Sequence, residues 1–371
     1  MTQRTPAAGL ASNWRPHQLH DDPARHLPAP GCAGCLDRLT CGSLSTASGL
    51  FDCSIHCCNR PDSCRWVCRR NRHFRQQMQE IGGLSFDTVM IPAVSRAPIL
   101  PDYVPQIFHG SLRELPLVTP AAAIKITQLF DKRTGKARFT KREALLRHFM
   151  IDAAAKIIVT GVDDDPGIER WWHVGRNARR QVIEQIADMG VEIATTPNFS
   201  LSLNWPRVGD LFAMKRILLC AAEMMAGGLP AALHVNGRTP RDFERWAWVV
   251  QRSDAITHLA YEFTTGAAYG ERRERHTAWL CEVAARAGRP LGIIVFGDSR
   301  VVVPLKTAFA HVIWVDTSSF MKTVHRKRAT RVGNGKLLWP SDPTLREQPL
   351  HDLLAHNVEE GHAYYRMRTA A

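Results

Sequence analysis

Residues 191–207 have the sequence VEIATTPNFSLSLNWPR, and this stretch shows the construction that the surrounding sequence repeats. It begins with a short apolar run, residues 191–194, typical of a buried strand, and then changes to turn-forming and polar residues. A helix is predicted next, with Asp210 as its N-cap, and it ends at the glycine pair that begins with Gly227. Strand, polar loop, helix and glycine together form one β/α unit.

The same unit recurs along most of the chain. Strands are predicted at residues 88–92, 106–109, 122–126, 156–162, 191–194, 231–235, 256–263, 291–296 and 311–315. Helices are predicted between them at residues 177–189, 240–251 and 271–287. Regular alternation of strands and helices indicates a parallel sheet. Because no phosphate-binding glycine fingerprint is present, we expect an α/β fold of the (β/α)8 TIM-like barrel type, with an open doubly wound sheet as the alternative.

Length and composition indicate a globular protein of 371 residues, of which 45% are hydrophobic. We predict four regions: a disordered arm at 1–30, a cysteine-rich metal-binding module at 31–82, the (β/α)8-like domain at 83–335 and a C-terminal extension at 336–371. No apolar run approaches the roughly 20 residues that span a bilayer, and the first 30 residues contain no signal-peptide core. The expected location is the cytoplasm.

The net charge of +13 predicts a polyanionic partner. Nucleic acid is the expected partner, DNA rather than RNA, and no membrane partner is expected. The alternative is that the charge reflects the arginine-rich composition of a GC-rich genome. Three basic stretches support the first interpretation, at residues 69–75, 132–147 and 322–336.

Eight of the ten cysteines lie within residues 32–68: Cys32, Cys35, Cys41, Cys53, Cys57, Cys58, Cys64 and Cys68. In a reducing compartment such density favours metal ligation over disulfides, since thiolates bind soft metals. The spacing does not match the two short-spaced pairs of an ordinary zinc ribbon, so we expect an iron-sulfur cluster, of the 4Fe-4S type, with zinc as the alternative. A metal here would mainly stabilise a small module with few apolar residues.

Polar side chains follow six successive predicted strands, at the end where a barrel carries its active site. Any one of them is more simply explained as a helix cap, but six in succession are harder to explain in that way. Asp316, Asp298 and Glu262 are the candidate catalytic residues. The candidate substrate-binding residues are Asn198, Ser200, His234, Asn236, Asp163, Arg300, Arg326 and Arg328.

This set is rich in carboxylates and amides, and the chain contains neither a GxSxG elbow nor an HExxH helix. Paired carboxylates are typical of glycosidic chemistry, in which one stabilises or attacks an oxocarbenium-like carbon and another transfers the proton. Amides such as Asn198 and Asn236 can recognise the donors and acceptors of a base edge. Phe199, Trp205 and Tyr261 could stack on a flipped base.

The basic barrel, its strand-end carboxylates and the cysteine-bound metal together resemble the tRNA-guanine transglycosylase superfamily, including its branch that inserts deazaguanines into DNA. They are also compatible with barrel-like DNA glycosylases of prokaryotic antiviral loci. The resemblance covers roughly residues 83–331 by architecture, and it implies that Asp316, in VIWVDTSSF, is the nucleophile toward the ribose carbon. In that family the zinc site follows the barrel in a CxCxxC arrangement, whereas here the cysteines precede it.

We therefore expect an enzyme that cleaves or exchanges the N-glycosidic bond of a base, modified or ordinary, as a DNA glycosylase or base transglycosylase that could serve antiviral defence. One alternative is a non-catalytic, metal-stabilised protein that binds nucleic acid. The other is a barrel enzyme that acts on a small molecule.

Overall fold

A computed structural model of the chain describes residues 80–83, 85–94, 98–201, 207–264, 270–333 and 336–370. The predicted arm at 1–30 and the eight cysteines of the predicted metal module lie outside these residues. No helix among the described residues has both the length and the apolar composition needed to cross a bilayer.

Eight parallel strands form one sheet. They are β1 (Tyr103–Pro105), β2 (Ala121–Lys125), β3 (Lys156–Thr160), β4 (Ile193–Thr195), β5 (Ala231–His234), β6 (His258–Phe263), β7 (Gly292–Gly297) and β8 (His311–Asp316). Their order in the sheet is β1-β8-β7-β6-β5-β4-β3-β2. A parallel bridge between Gln106 and Ala123 joins β1 to β2, and the Ile107 N–H donates to the Ala123 carbonyl at 2.8 Å. The sheet is thereby closed into a barrel, as the alternation of elements predicts.

Helices connect consecutive strands on the outside of the barrel. They are α1 (Arg142–Phe149), α2 (Asp165–His173), α3 (Arg176–Asp188), α4 (Arg207–Ala226), α5 (Pro240–Gln251), α6 (Glu271–Ala287) and the short α7 (Val302–Leu305). After β8 follow α8 (Ser318–Val324), an antiparallel pair of short strands, β9 (Thr330–Val332) and β10 (Lys336–Leu338), and α9 (His351–Thr369). The predicted C-terminal extension thus contains β10 and α9, and α9 packs beside α8.

Two apolar clusters fill the domain. The larger one lies between the strands and the surrounding helices, and it includes Trp171 of α2, Trp246 of α5 and Leu354 of α9. The smaller one lies inside the barrel, because alternate residues of all eight strands supply it: Val104, Ala121, Ala123, Ile158, Ile193, Ala232, Ala260, Ile294, Phe296, Ile313 and Val315. The barrel interior is therefore a packed core between its two ends.

Three predictions from the sequence are wrong at this level. The strand predicted at 106–109 does not form, because β1 covers Tyr103–Pro105 and Gln106 makes only the bridge to Ala123. Residues 88–92 form no strand: Phe86 packs against Trp246 with ring centroids 5.3 Å apart, and Lys215 donates to the Thr88 hydroxyl at 2.6 Å. This apolar segment therefore covers the helices and does not pair with a strand. Helix α4 covers Arg207–Ala226, so Asp210 lies in its first turn and is not its N-cap.

Candidate active site

A small polar cavity of about 60 Å³ lies where β4, β5 and β6 end. Five of the side chains predicted to bind or transform a substrate line it: Asn198, Ser200, His234, Asn236 and Glu262. Arg238, Leu201 and Tyr261 complete the lining. These residues are well separated in the sequence and meet because the carboxyl ends of parallel strands lie at one end of the barrel.

A chain of hydrogen bonds connects three of these side chains. The Asn236 amide donates to the Asn198 amide oxygen at 2.8 Å, and the Asn198 amide donates to one Glu262 carboxylate oxygen at 2.5 Å. The other carboxylate oxygen of Glu262 accepts from the Thr264 hydroxyl. Each carboxylate oxygen retains further acceptor capacity, since two oxygens offer about four lone-pair positions. Glu262 is therefore oriented by the protein while it stays half-exposed toward the cavity.

His234 is the buried member of this site, with 1% of its surface exposed. Burial lowers the pKa of His234 to about 3, so the imidazole is neutral at physiological pH. Its ring stacks on that of Tyr261 with centroids 6.0 Å apart, and neither ring nitrogen has a hydrogen-bond partner among the described residues. A neutral imidazole offers one donor and one acceptor, and in His234, which lines the cavity, both are buried without a partner in the part of the chain that the structure describes.

The loop after β4 is fixed by its neighbours on both sides. The Thr196 hydroxyl accepts the His234 N–H at 2.8 Å, and the Asn198 N–H donates to the Gly161 carbonyl at 2.8 Å. A Cβ atom at Gly161 would lie 2.4 Å from the Thr196 carbonyl oxygen, so only glycine permits this approach. The polar sequence that follows residues 191–194 is therefore ordered by both neighbouring strands.

Arg238 was not predicted as a site residue. Its guanidinium donates to the Leu201 carbonyl, with Nε at 3.1 Å, and its own N–H donates to Asp242 at 2.7 Å. Asp242 also closes the capping box of α5 with Thr239. The sequence signal was the position of Arg238, directly after the Asn236-Gly237 pair and before a helix start.

Asp298, one of the three predicted catalytic acids, lies in a cluster of ion pairs after β7. Arg300 donates to it from Nη2 at 2.7 Å and Arg273 of α6 donates from Nη1 at 3.2 Å. Burial raises the pKa of Asp298, but the hydrogen bonds from Arg300 and Arg273 outweigh burial and bring the pKa below its ordinary value. Arg300, predicted to bind substrate, is 57% exposed and is held by Asp298.

Asp163 lies after β3 and pairs with Lys125 at the end of β2. The Lys125 ammonium donates to Asp163 at 2.5 Å and lies 5.2 Å from the Phe108 ring centroid, and the Thr127 hydroxyl also donates to Asp163. Burial raises the pKa of Asp163, but these bonds from Lys125 and Thr127 bring it below its ordinary value. The adjacent Asp164 caps α2 through the Gly167 N–H at 3.2 Å.

Asp316, the predicted nucleophile, faces away from the barrel mouth. Ile313 and Val315 point into the barrel and Trp314 packs in the outer cluster, so Asp316 has the outward phase of β8.

Four donors hold its carboxylate: the Tyr103 hydroxyl at 2.7 Å, the Ser318 N–H at 2.7 Å, the Ser319 N–H at 3.3 Å and the Ser319 hydroxyl. Asp316 is 2% exposed, and burial together with this carboxylate raises the pKa of Tyr103 well above its ordinary value. Its position therefore gives Asp316 a structural role, and the assignment as nucleophile does not fit.

Arg326 and Arg328, also predicted to bind substrate, lie away from the cavity, whereas Ser200 lines it. Arg326 donates to the Arg346 carbonyl at 2.6 Å, and Arg328 forms an ion pair with Asp342 at 2.6 Å, so both bind the segment between β10 and α9. Ser200 lines the cavity and donates to Asp165 at 2.5 Å.

The eight cysteines predicted as metal ligands lie outside the described residues, so the metal module stays a prediction. Within the residues that the structure describes, no group of three or more His, Cys, Asp or Glu side chains is arranged to hold a metal ion.

Comparisons with known proteins give little beyond this geometry. No protein-family model and no curated protein matches the chain. Among solved structures, the chain is similar to the crystal structure of an N-terminally His-tagged D-allulose 3-epimerase from Methylomonas sp. with additional C-terminal residues. The similarity covers 74% of this chain and 100% of that chain, with 12% identity and a TM-score of 0.36. The fold assignment therefore depends on the strand order and the barrel closure.

Proposed function

We propose that this chain is a barrel enzyme that breaks or exchanges the N-glycosidic bond of a base in nucleic acid, with Glu262 as its catalytic carboxylate. One observation carries the proposal: a carboxylate at the barrel mouth is oriented by Asn198, which is in turn oriented by Asn236. This arrangement combines a group that stabilises positive charge with amides that can recognise a base edge.

The chemistry requires a negative group beneath the sugar carbon. As the glycosidic bond breaks, its electron pair leaves with the base and the sugar carbon becomes positive. A carboxylate beneath that carbon stabilises the transition state more than the ground state. Water or a second base then forms the new bond to carbon. Glu262 suits this role because its orientation is fixed before the substrate binds.

Asp298 and Asp163 suit a different role. A general acid at neutral pH needs a raised pKa, and the pKa of each of these carboxyls is lowered despite burial. Both therefore stay ionised and orient Arg300 and Lys125 at the mouth. The proposed mechanism depends on one catalytic carboxylate and not on a pair.

His234 and the two asparagines are proposed to bind the base. The cavity of about 60 Å³ is far smaller than the several hundred Å³ usual for whole ligands, so it would hold one polar edge of a base. The unpaired nitrogens of the neutral His234 imidazole would then gain partners from that edge.

The test is the release of base from nucleic acid by Glu262→Gln protein. Free bases and nucleosides are measured by mass spectrometry after incubation with unmodified DNA, phage-modified DNA and tRNA. We expect Glu262→Gln to lower the rate on the order of a hundredfold or more, because it removes the charge, while nucleic-acid affinity changes little. Glu184→Gln makes the same substitution on the exposed surface of α3 and serves as the control.

Near-normal turnover by Glu262→Gln on a demonstrated substrate would contradict the mechanism. Binding of nucleic acid without base release by the unaltered protein would favour the non-catalytic alternative.

A second candidate is a barrel enzyme that acts on a small polar molecule, favoured by the size and polarity of the cavity. It predicts no salt-dependent binding of DNA or RNA by the full chain.

A further inference from the structure

We propose that residues 131–141, named the basic loop, bind the phosphates of the nucleic acid whose base enters the barrel mouth. This proposal rests on the proposed function and specifies how the partner is held. The basic loop would bind the phosphates, and the cavity would carry out the reaction on the base.

The basic loop is a compact turn. Phe130 and Ala137 form an antiparallel bridge, the Asp131 N–H donates to the Lys136 carbonyl at 2.8 Å, and the Gly135 N–H donates to the Asp131 carbonyl at 2.8 Å. The Asp131 side chain accepts from the Thr134 N–H at 2.6 Å. The acid of this loop is therefore engaged in the turn, and hydrogen bonds from Thr134 lower the pKa of Asp131.

The five cations of the loop point into solvent. Among the described residues none of them forms an ion pair with a carboxylate, and all are exposed: Lys132, Arg133, Lys136, Arg138 and Lys141. The basic stretch at 322–336 differs, because Arg328 pairs with Asp342 and Arg331 pairs with Glu360. Two of the six cations in that stretch are thus neutralised by ion pairs, whereas none of the five loop cations is paired among the described residues.

The start of the loop lies on the mouth side of the barrel. A short 3-10 helix (Ile126–Gln128) leads from the carboxyl end of β2 into the loop, so its first cations, Lys132 and Arg133, are on this side. Its last cation, Lys141, precedes Arg142, which donates to carbonyls just before β3 and β4 at the opposite end. Arg170 of α2 donates from its guanidinium to the carbonyls of Lys132 and Arg133. The same helix begins with Asp165, which accepts from Ser200 of the cavity lining. A continuous set of contacts therefore connects the basic loop to the cavity.

Charge and composition favour nucleic acid over a membrane surface. Apolar insertion into lipid needs exposed apolar side chains, and the two apolar residues of the loop, Ala137 and Phe139, are only partly exposed. Cations spaced along a turn suit a phosphate backbone, whose binding releases counterions and weakens as salt rises. The cations at the start of the loop can hold a strand while the edge of one base enters the cavity.

The experiment measures binding of the full chain to fluorescent single-stranded and duplex DNA and to single-stranded RNA by anisotropy across a series of salt concentrations. The test variant is Arg133→Glu/Lys136→Glu. The control is Arg252→Glu/Arg286→Glu, which changes the charge equally at exposed C-terminal ends of α5 and α6, on the opposite end of the barrel. A milder variant, Lys132→Gln/Lys136→Gln, keeps the test valid if charge reversal impairs folding.

We expect the test variant to bind at least about tenfold more weakly than the control and to lower the slope of log K against log salt by about two. Equal affinity of test and control variants, with salt-dependent binding by the unaltered protein, would overturn the basic-loop proposal and leave the proposed function standing. Absence of nucleic-acid binding by the unaltered protein would overturn both. Binding to phosphatidylserine vesicles but not to nucleic acid would overturn both in favour of a lipid surface.

Discussion

Glu262 and Asp316 are acids at the carboxyl ends of β6 and β8, and their side chains point to opposite faces of the sheet. Ala260 points into the barrel, so Glu262 does as well, and it reaches the polar cavity. Asp316 follows the inward-pointing Val315 and therefore faces the helices, where it binds Tyr103 and the start of α8. One step along a strand separates a site residue from a structural one.

At this scale we predict that Asp316→Ala lowers the free energy of unfolding by about 2 kcal/mol or more. The substitution leaves the buried hydroxyls of Tyr103 and Ser319 without their shared acceptor. Denaturant unfolding measures the change. Asp352→Ala, an exposed acid in the first turn of α9, should change stability by less than about 0.5 kcal/mol. Unaltered stability with lost base release would instead return Asp316 to a catalytic role.

Sequence alone could identify the strand end of Asp316 but not its phase. The strand HVIWVD is apolar on both faces, because a parallel barrel strand is buried against the interior on one side and the helices on the other. Periodicity therefore gives no sign of which residues face the mouth. The sequence places Asn198 and Asn236 after their strands and His234 at the end of β5, and all three line the cavity. The bond between the two asparagines depends on packing.

The helix boundaries show which helix ends can be predicted from capping residues in the sequence. The predicted helices 240–251 and 271–287 have those bounds in the structure. Thr239 is the N-cap of the first helix and its N–H donates to Asp242 at 3.0 Å, and Gly288 ends the second helix with φ at 68°. The helix after β4 begins at Arg207 and not after Asp210, because Asp210 is buried in its first turn. The capping residues predict the bounds of α5 and α6. In α4 the predicted cap, Asp210, is instead a buried residue of the first turn.

Helix α9 lies close to the barrel at Gly361. A Cβ atom there would lie 2.5 Å from the Tyr103 hydroxyl, 2.9 Å from the Ser319 hydroxyl and 3.0 Å from Asp316 Oδ2. In an exposed helix, glycine to alanine stabilises by about 1 kcal/mol. We predict that Gly361→Ala instead destabilises by about 1–3 kcal/mol, measured by denaturant unfolding, because the helix must move outward.

A double-mutant cycle provides the control. In a Tyr103→Phe background the atom at 2.5 Å is absent, so Gly361→Ala should cost less than in the unaltered chain. An increase in stability of about 1 kcal/mol on Gly361→Ala alone would show that the approach is not tight.

Across the whole molecule, buried histidines are predicted to make stability fall with acid. Burial lowers the pKa of His234 to about 3 and, together with the charge of His311, that of His258 to about 4. The unfolded chain binds these protons at its ordinary pKa of about 6.5. Below that pH the unfolded state therefore binds more protons and becomes more stable relative to the folded state. Each histidine adds a slope of up to about 1.4 kcal/mol per pH unit.

Urea unfolding between about pH 6.5 and about pH 4.5 measures this slope. The variant His234→Gln/His258→Gln should lose most of it, whereas His173→Gln, which alters an exposed histidine, should keep it. Asp163 and Asp298, each paired with a basic residue, affect stability at lower pH. Their pKa values are lowered in the folded state, so their contribution to the free energy of unfolding is complete above about pH 4 and is lost below it. An equal slope in all three proteins would show that the two imidazoles are protonated in the folded state.

The closure of the barrel has a mechanical consequence. Seven of the eight strand junctions are ladders of two to six residue pairs, and the eighth, between β1 and β2, is the Gln106–Ala123 bridge. In the ring of strands this junction lies diametrically across from the junction of β5 and β6, where the cavity is. The junction with the fewest paired residues therefore lies on the side away from Glu262. We expect thermal opening of the wall to begin at this bridge, far from the carboxylate and the two amides that orient it.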